Sequence, residues 1–143
     1  MPLAPAVDIE FERALDHVET DAPAALTSAC AIVEALCKVY IDDEGFDPPA
    51  TQTVKPLWSV VQKHLGLDPA AIEDNDLRQI LTGLISVVDG LGSLRTHAGS
   101  AHGRGRRAYR PAPRHARLAI SAAHAVVAFV LETWDARRAG RLA

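Results

Sequence analysis

An apolar seam in the middle of the chain constrains the fold more than any other feature. Its members are spaced alternately by four and three residues: Leu77, Leu81, Leu84, Val88 and Leu91. This spacing puts every member on one face of an α-helix and is typical of a helix that packs against another helix. The seam therefore predicts a long amphipathic helix and favours a helical bundle.

Other segments carry helix signals of the same kind. Asp21 precedes a long apolar stretch that has a proline in its first turn, which is typical of a helix start. Gly66 follows an apolar segment that begins near Val54, and glycine commonly ends helices. The chain has only two Trp, two Tyr and three Phe among its 143 residues, so its core must consist largely of Leu, Val, Ile and Ala. We predict an all-α bundle of about five helices with no sheet.

A chain of this length fits a single domain, which we place at residues 1–143. The first helix is expected to begin at Asp8, the fourth near Asp76, and the last near Arg114, ending after Trp134. Residues 1–7 and 136–143 are expected to fray. Trp134 and Trp58 are expected to anchor the core.

The cysteines and the apolar runs indicate a cytoplasmic protein without a membrane span. Cys30 and Cys37 are seven residues apart in an expected helix, which separates them by about 10.5 Å, too far for a disulfide. They are interpreted as small core residues. The most apolar run, Leu118–Leu131, would span about 21 Å as a helix, short of the roughly 30 Å of a bilayer core. The first residues, MPLAPAVDIEFE, include neither a basic nor a long apolar region, so we expect no secretion signal.

The net charge of −3 conceals a marked asymmetry along the chain. Residues 8–47 contain eleven of the eighteen acidic residues, against two basic ones. The segment 95–117 contains seven of the fifteen basic residues and no acidic one: Arg95, Arg104, Arg106, Arg107, Arg110, Arg114 and Arg117. Either the two segments attract each other within or between subunits, or the acidic one restricts nucleic acid to the basic patch. Charge counts leave both interpretations open.

The seam continues from leucine into residues that can carry chemistry. Its next positions are Arg95, Ala98 and His102. Seven residues turn a helix by about 700°, so Arg95 and His102 would share a face. Histidine can transfer a proton near neutral pH, and arginine can bind a phosphate and stabilise its transition-state charge. RNA supplies its own nucleophile, the 2′-OH, so this pair suits RNA cleavage without a metal.

The residues around this pair resemble a known family. The stretches "LRTHAGSAHGRG" and "RHARLAISAAHAVVAFVLETW" are similar to the C-terminal domain of bacterial abortive-infection proteins, within the HEPN superfamily of helical ribonucleases. The HEPN signature is an arginine followed, after four to six residues, by a histidine, and here Arg95 and His102 enclose six. The resemblance implies a homodimer that brings two motifs together, RNA cleavage without metal or cofactor, and a role in phage defence or as a toxin.

The resemblance and the local chemistry together define the candidate site. Arg95 and His102 are the predicted catalytic residues, and no metal ligand set is expected. Supporting polar roles are predicted for Thr96, His97, Ser100 and His115. RNA binding is predicted for Arg104, Arg106, Arg107, Arg110 and Tyr109. The expected partners are RNA, a second copy of the chain, and an antitoxin or other regulatory protein.

A second interpretation is a non-catalytic module that dimerises through the fourth and fifth helices and binds nucleic acid or a protein. Two departures from the family pattern favour it: Thr96 stands where Asn is common, and Ser100 where abortive-infection relatives have Asp. What separates the two interpretations is whether Arg95 and His102 lie within reach of one phosphate, counting both subunits.

Overall fold

A computed structural model describes residues 4–99 and 111–140. In these residues the chain forms five α-helices and one short 3₁₀ turn, with no strand, which confirms the predicted all-α bundle. The helices are α1 (Ala4–Asp16), α2 (Ala22–Asp43), α3 (Val54–Leu65), α4 (Asn75–Gly99) and α5 (Pro113–Arg138), and the 3₁₀ turn is Pro69–Ala71.

The capping residues act as the sequence predicted. The Asp21 carboxylate accepts a hydrogen bond from the Ala24 amide at 3.1 Å, which satisfies one of the free amides at the start of α2. Gly66 ends α3 with a φ of 71°, a left-handed conformation that glycine adopts without a steric penalty.

The outer helices are longer than expected. The first helix begins at Ala4 rather than Asp8, and the last runs to Arg138, so residues 4–7 and 136–138 are helical. Arg137 accounts for the second extension, because its guanidinium donates to the carbonyl of His64 and, at 3.4 Å, to that of Leu65. This contact ties the end of α5 to the end of α3.

The core surrounds α2, which contacts each of the other four helices. Both tryptophans are buried, as predicted. The Trp134 ring packs edge-on against Tyr40 with centroids 5.1 Å apart, and its Nε1 donates to the Glu44 carboxylate at 2.7 Å. A buried indole N–H needs such a partner, so Glu44 allows Trp134 to lie deep between α2 and α5.

The cysteines are free and buried, in agreement with their interpretation as core residues. Burial raises the pKa of Cys30 to about 11 and that of Cys37 to about 12. Both thiols therefore stay protonated at neutral pH.

Two helices, Ala22–Asp43 and Pro113–Arg138, are long and apolar enough to cross a membrane by length and composition. Leu26 and Val33 of α2 and Val127 of α5 are nevertheless buried in the bundle. The core helices of soluble proteins meet the same criteria of length and composition, so these two helices are weak evidence for a membrane span. The cytoplasmic location stays a prediction.

Candidate active site

Arg95 lies near the end of α4 and turns its side chain toward α2. Its Nε is 3.5 Å from Oε1 of Glu34, and its Nη1 donates to the Thr27 carbonyl at 3.4 Å. The side chain of Glu34 is only 13% exposed, whereas 36% of the Arg95 side chain remains exposed. Two nitrogens of the guanidinium therefore contact α2, while part of the side chain stays accessible.

The position of Arg95 follows from the packing of α4 on α2. Leu91, one turn earlier, is buried, and its carbonyl accepts a hydrogen bond from the Cys30 thiol at 3.4 Å. On α2, Cys30 precedes Glu34 by one turn, so the two contacts between the helices are stacked. The pKa of Cys30 is raised mainly by burial. The nearby Arg95 charge lowers this pKa, and the Glu34 charge raises it.

A polar cavity of about 320 Å³ adjoins the Arg95–Glu34 pair. It lies where the start of α3 meets the second half of α4, and Glu34 of α2 forms part of its wall. Its polar lining also includes Thr53, Lys55, Asp89, Ser93, Thr96 and His97. Lys55 and Asp89 lie side by side in its lining, with Nζ and Oδ1 separated by 4.0 Å. The cavity thus combines hydroxyl groups, a histidine and charges of both signs.

The structure brings three of the predicted residues to one place. Thr96 and His97 line the cavity next to Arg95, and the Thr96 hydroxyl donates to the Gly92 carbonyl at 3.1 Å. His115 is exposed in the first turn of α5, and it is not among the described residues that line the cavity. The remaining predictions, His102, Ser100, Arg104, Arg106, Arg107, Tyr109 and Arg110, fall on residues 100–110, outside the described part of the chain.

The sequence analysis missed Glu34, Lys55 and Asp89. Glu34 is the acid of α2 that stands among apolar residues, so it could have been suspected as a buried charge in need of a partner. Nothing in the local sequence separates Lys55 or Asp89 from ordinary surface charges. Within residues 4–99 and 111–140, no three His, Cys, Asp or Glu side chains cluster as metal ligands.

Acidic residues of the segment 8–47 pair with described residues from the basic half of the chain. Arg95 pairs with Glu34, and Arg117 on α5 pairs with Glu19 after α1. The first of the two interpretations of the charge asymmetry therefore holds for these two arginines: the segments attract each other within the subunit.

Comparison with known proteins assigns the family. The family model Abi_C, described as a HEPN-like domain, matches residues 5–134. The match covers most of the chain and includes all of α2, α3 and α4, so the chain belongs to this HEPN-like family, as its resemblance to abortive-infection C-terminal domains predicted. No curated protein and no solved structure matched the chain.

Proposed function

We propose that this HEPN-like domain is a metal-independent endoribonuclease that acts in phage defence or as a toxin. One observation carries the proposal: two guanidinium nitrogens of Arg95 contact α2, and more than a third of the side chain remains exposed. An arginine fixed in this way can bind a phosphate without first losing its own conformational freedom.

The reaction needs proton transfer and charge stabilisation only. The 2′-oxygen of a ribose attacks the adjacent phosphorus while its proton passes to a base, and the bond from phosphorus to the 5′-oxygen breaks. The leaving 5′-oxygen takes up a proton, so the products carry a 2′,3′-cyclic phosphate and a 5′-hydroxyl. His102 is the proposed proton-transfer group, and Arg95 stabilises the additional charge on the phosphate.

Glu34 has a positioning role in this proposal. Its carboxylate lies beside Nε of Arg95 and is largely buried, so it fixes the plane of the guanidinium. The exposed part of the guanidinium can then donate to a phosphate oxygen.

A homodimer is part of the proposal, because the family resemblance implies that two motifs meet across an interface. We expect sedimentation of the purified chain to give twice the monomer mass of 15.3 kDa. An antitoxin or other regulatory protein would restrain the activity in the cell.

The proposal is tested by RNA cleavage in the presence of EDTA. Arg95→Ala and His102→Ala are each expected to lower the rate by about a hundredfold or more, the usual cost of removing a group that stabilises the transition state. Arg13→Ala is the matched control, because Arg13 is exposed on α1 and pairs with Glu10 on its own helix. If Arg95→Ala cleaves as fast as Arg13→Ala, the assignment of Arg95 is wrong.

The second candidate function is a non-catalytic module that binds nucleic acid or a protein. Thr96 and Ser100 favour it, because they replace the Asn and Asp common in the family. Absence of cleavage by the wild type, together with RNA binding that is lost in Arg95→Ala, would support this function over the nuclease.

A further inference from the structure

The cavity beside Arg95 has the size of a small-ligand site and a mostly polar lining. Its volume of about 320 Å³ falls within the range of about 300–1,000 Å³ seen for such sites. The polar groups come from three helices: Glu34 from α2, Lys55 from α3, and Asp89, Ser93 and Thr96 from α4. A set of donors and acceptors this varied suits an uncharged ligand that itself carries both donors and acceptors.

The Lys55–Asp89 pair supplies a donor and an acceptor side by side. Their charged atoms are 4.0 Å apart, and the side chains are 74% and 47% exposed. An exposed pair at this distance contributes little to stability, so exchanging it for contacts with a ligand costs little. The ammonium group can donate, and the carboxylate can accept two hydrogen bonds in parallel.

Guanine matches this arrangement best among the four RNA bases. Its pairing edge presents O6, an acceptor, beside the N1–H and N2–H donors. Lys55 can donate to O6 while Asp89 accepts from both N–H groups. Adenine and cytosine present one donor group beside an acceptor, in the order opposite to that of guanine, so they can bind Lys55 and Asp89 only if the base is turned over. Uracil presents a single N–H donor to the carboxylate. Guanine alone satisfies the lysine and both carboxylate oxygens.

The cavity is also placed correctly for a nucleotide whose phosphate lies at Arg95. Asp89, Ser93 and Thr96 follow one another at one-turn intervals on α4, and Arg95 adjoins Thr96. Asp89 and Arg95 are six residues apart, about 9 Å along the helix axis and about 120° around it. Glu34 connects the two places, because it contacts Nε of Arg95 and lines the same cavity as Asp89. A single nucleotide spans this separation, with its base near Asp89 and its phosphate near Arg95.

We propose that this cavity binds the guanine base of a nucleotide adjoining the cleaved phosphate, with Lys55 and Asp89 as the residues that determine specificity. The inference rests on the proposed ribonuclease function for its role in cleavage. Base recognition itself does not require cleavage, so the two can be tested separately.

The first test compares cleavage of oligoribonucleotides that differ at one base. The wild type is expected to favour guanine, and Asp89→Asn is expected to lower cleavage at guanine by about tenfold to a hundredfold, the discrimination that a bidentate base contact provides. Cleavage next to the other bases should change little. Asp135→Asn, an exposed acid on α5, is the matched control and should keep the wild-type preference.

The second test measures equilibrium binding of the four nucleoside 3′-monophosphates to the full chain. We expect guanosine 3′-monophosphate to bind most tightly, with the preference lost in Asp89→Asn and kept in Asp135→Asn. If the wild type cleaves no RNA but shows this pattern, the ribonuclease proposal fails and the guanine site stands. The guanine site is overturned if neither binding nor cleavage favours guanine, or if the preference survives in Asp89→Asn. Thermal unfolding of each variant shows whether a loss reflects misfolding.

Discussion

The two halves of α4 carry the same apolar seam and meet different surroundings. In the second half, Val88 and Leu91 are buried against the other helices. At the start of the helix, Leu77 of the seam is 55% exposed and the neighbouring Ile80 is 66% exposed, although Leu81 is only 9% exposed. These residues lie beside an open groove of about 700 Å³ that Phe129 of α5 also lines. The difference indicates that the C-terminal part of the seam, at Val88 and Leu91, packs α4 against the bundle just before Arg95.

This contrast predicts unequal effects of the same truncation along the seam. Leu91→Ala is expected to lower the free energy of unfolding by about 2–5 kcal/mol, because it leaves a cavity in the core. Leu77→Ala is expected to lower it by about 0.5 kcal/mol or less, because much of that side chain is already exposed. Urea denaturation measures both values. Equal losses would show that the first half of α4 is packed as tightly as the second.

RNA cleavage should also depend on Glu34, which contacts Arg95 in the second half of α4. Glu34→Gln removes the negative charge beside Nε while keeping the shape of the side chain, and we expect the maximal cleavage rate to fall about tenfold with little change in KM for RNA. Glu10→Gln is the control, since Glu10 pairs with Arg13 on the surface of α1. If Glu34→Gln cleaves RNA as the control does, the ion pair does not position Arg95 for the reaction.

The buried thiols beneath this half predict a loss of stability at alkaline pH. Burial raises the pKa of Cys30 to about 11 and of Cys37 to about 12, from an ordinary value of 9.0. Because the folded pKa values lie above the unfolded ones, the contribution of the protonated thiols is complete below about pH 9 and is lost as the pH rises toward 11 and 12.

Urea denaturation at a series of pH values above about pH 8 tests this effect. The double variant Cys30→Ala, Cys37→Ala is expected to be less stable at neutral pH but to lose less of its remaining stability as the pH rises. Parallel losses in the wild type and the double variant would show that other groups cause the alkaline decline.

The smallest change in stability is expected for a substitution in the first half of α4, beside the open groove. Ile80 is 66% exposed, so Ile80→Gln should change the free energy of unfolding by no more than about 0.5 kcal/mol. Cleavage of RNA is expected to be unchanged, because Ile80 is far from Arg95 along α4. It lies one turn after Leu77, and Leu77 is about 27 Å from Arg95 along the helix axis. A large drop in cleavage by Ile80→Gln would show that the groove contributes to the active assembly.

Periodicity predicted the fold well because it reports which face of a helix is apolar. It predicted α4, the burial of Val88 and Leu91, and the helical bundle as a whole. It could not predict that Leu77 would be exposed, because that depends on how far the neighbouring helices extend along α4. It likewise missed the extension of α5 to Arg138, which depends on a contact between Arg137 and the distant end of α3.

In the candidate site, too, some residues could be predicted from local sequence, and others depend on how the helices pack. Arg95, Thr96 and His97 could be predicted because a local motif and the family resemblance identify them. Glu34 and Lys55 join them only through the packing of α2 and α3 on α4. The sequence marks Glu34 as an acid among apolar residues, but it does not show which residue pairs with it, and it carries no local signal for Lys55. The same holds for Asp89, whose role depends on Lys55 lying opposite it.

The nature of the product ends tests the central claim most directly. RNA treated with the purified wild type in EDTA is expected to yield 2′,3′-cyclic phosphate and 5′-hydroxyl ends, because the proposed reaction uses the ribose 2′-OH and needs no metal. Ends of this kind that disappear in Arg95→Ala would support the proposed site. Fragments with 3′-hydroxyl and 5′-phosphate ends, or cleavage that EDTA abolishes, would contradict it.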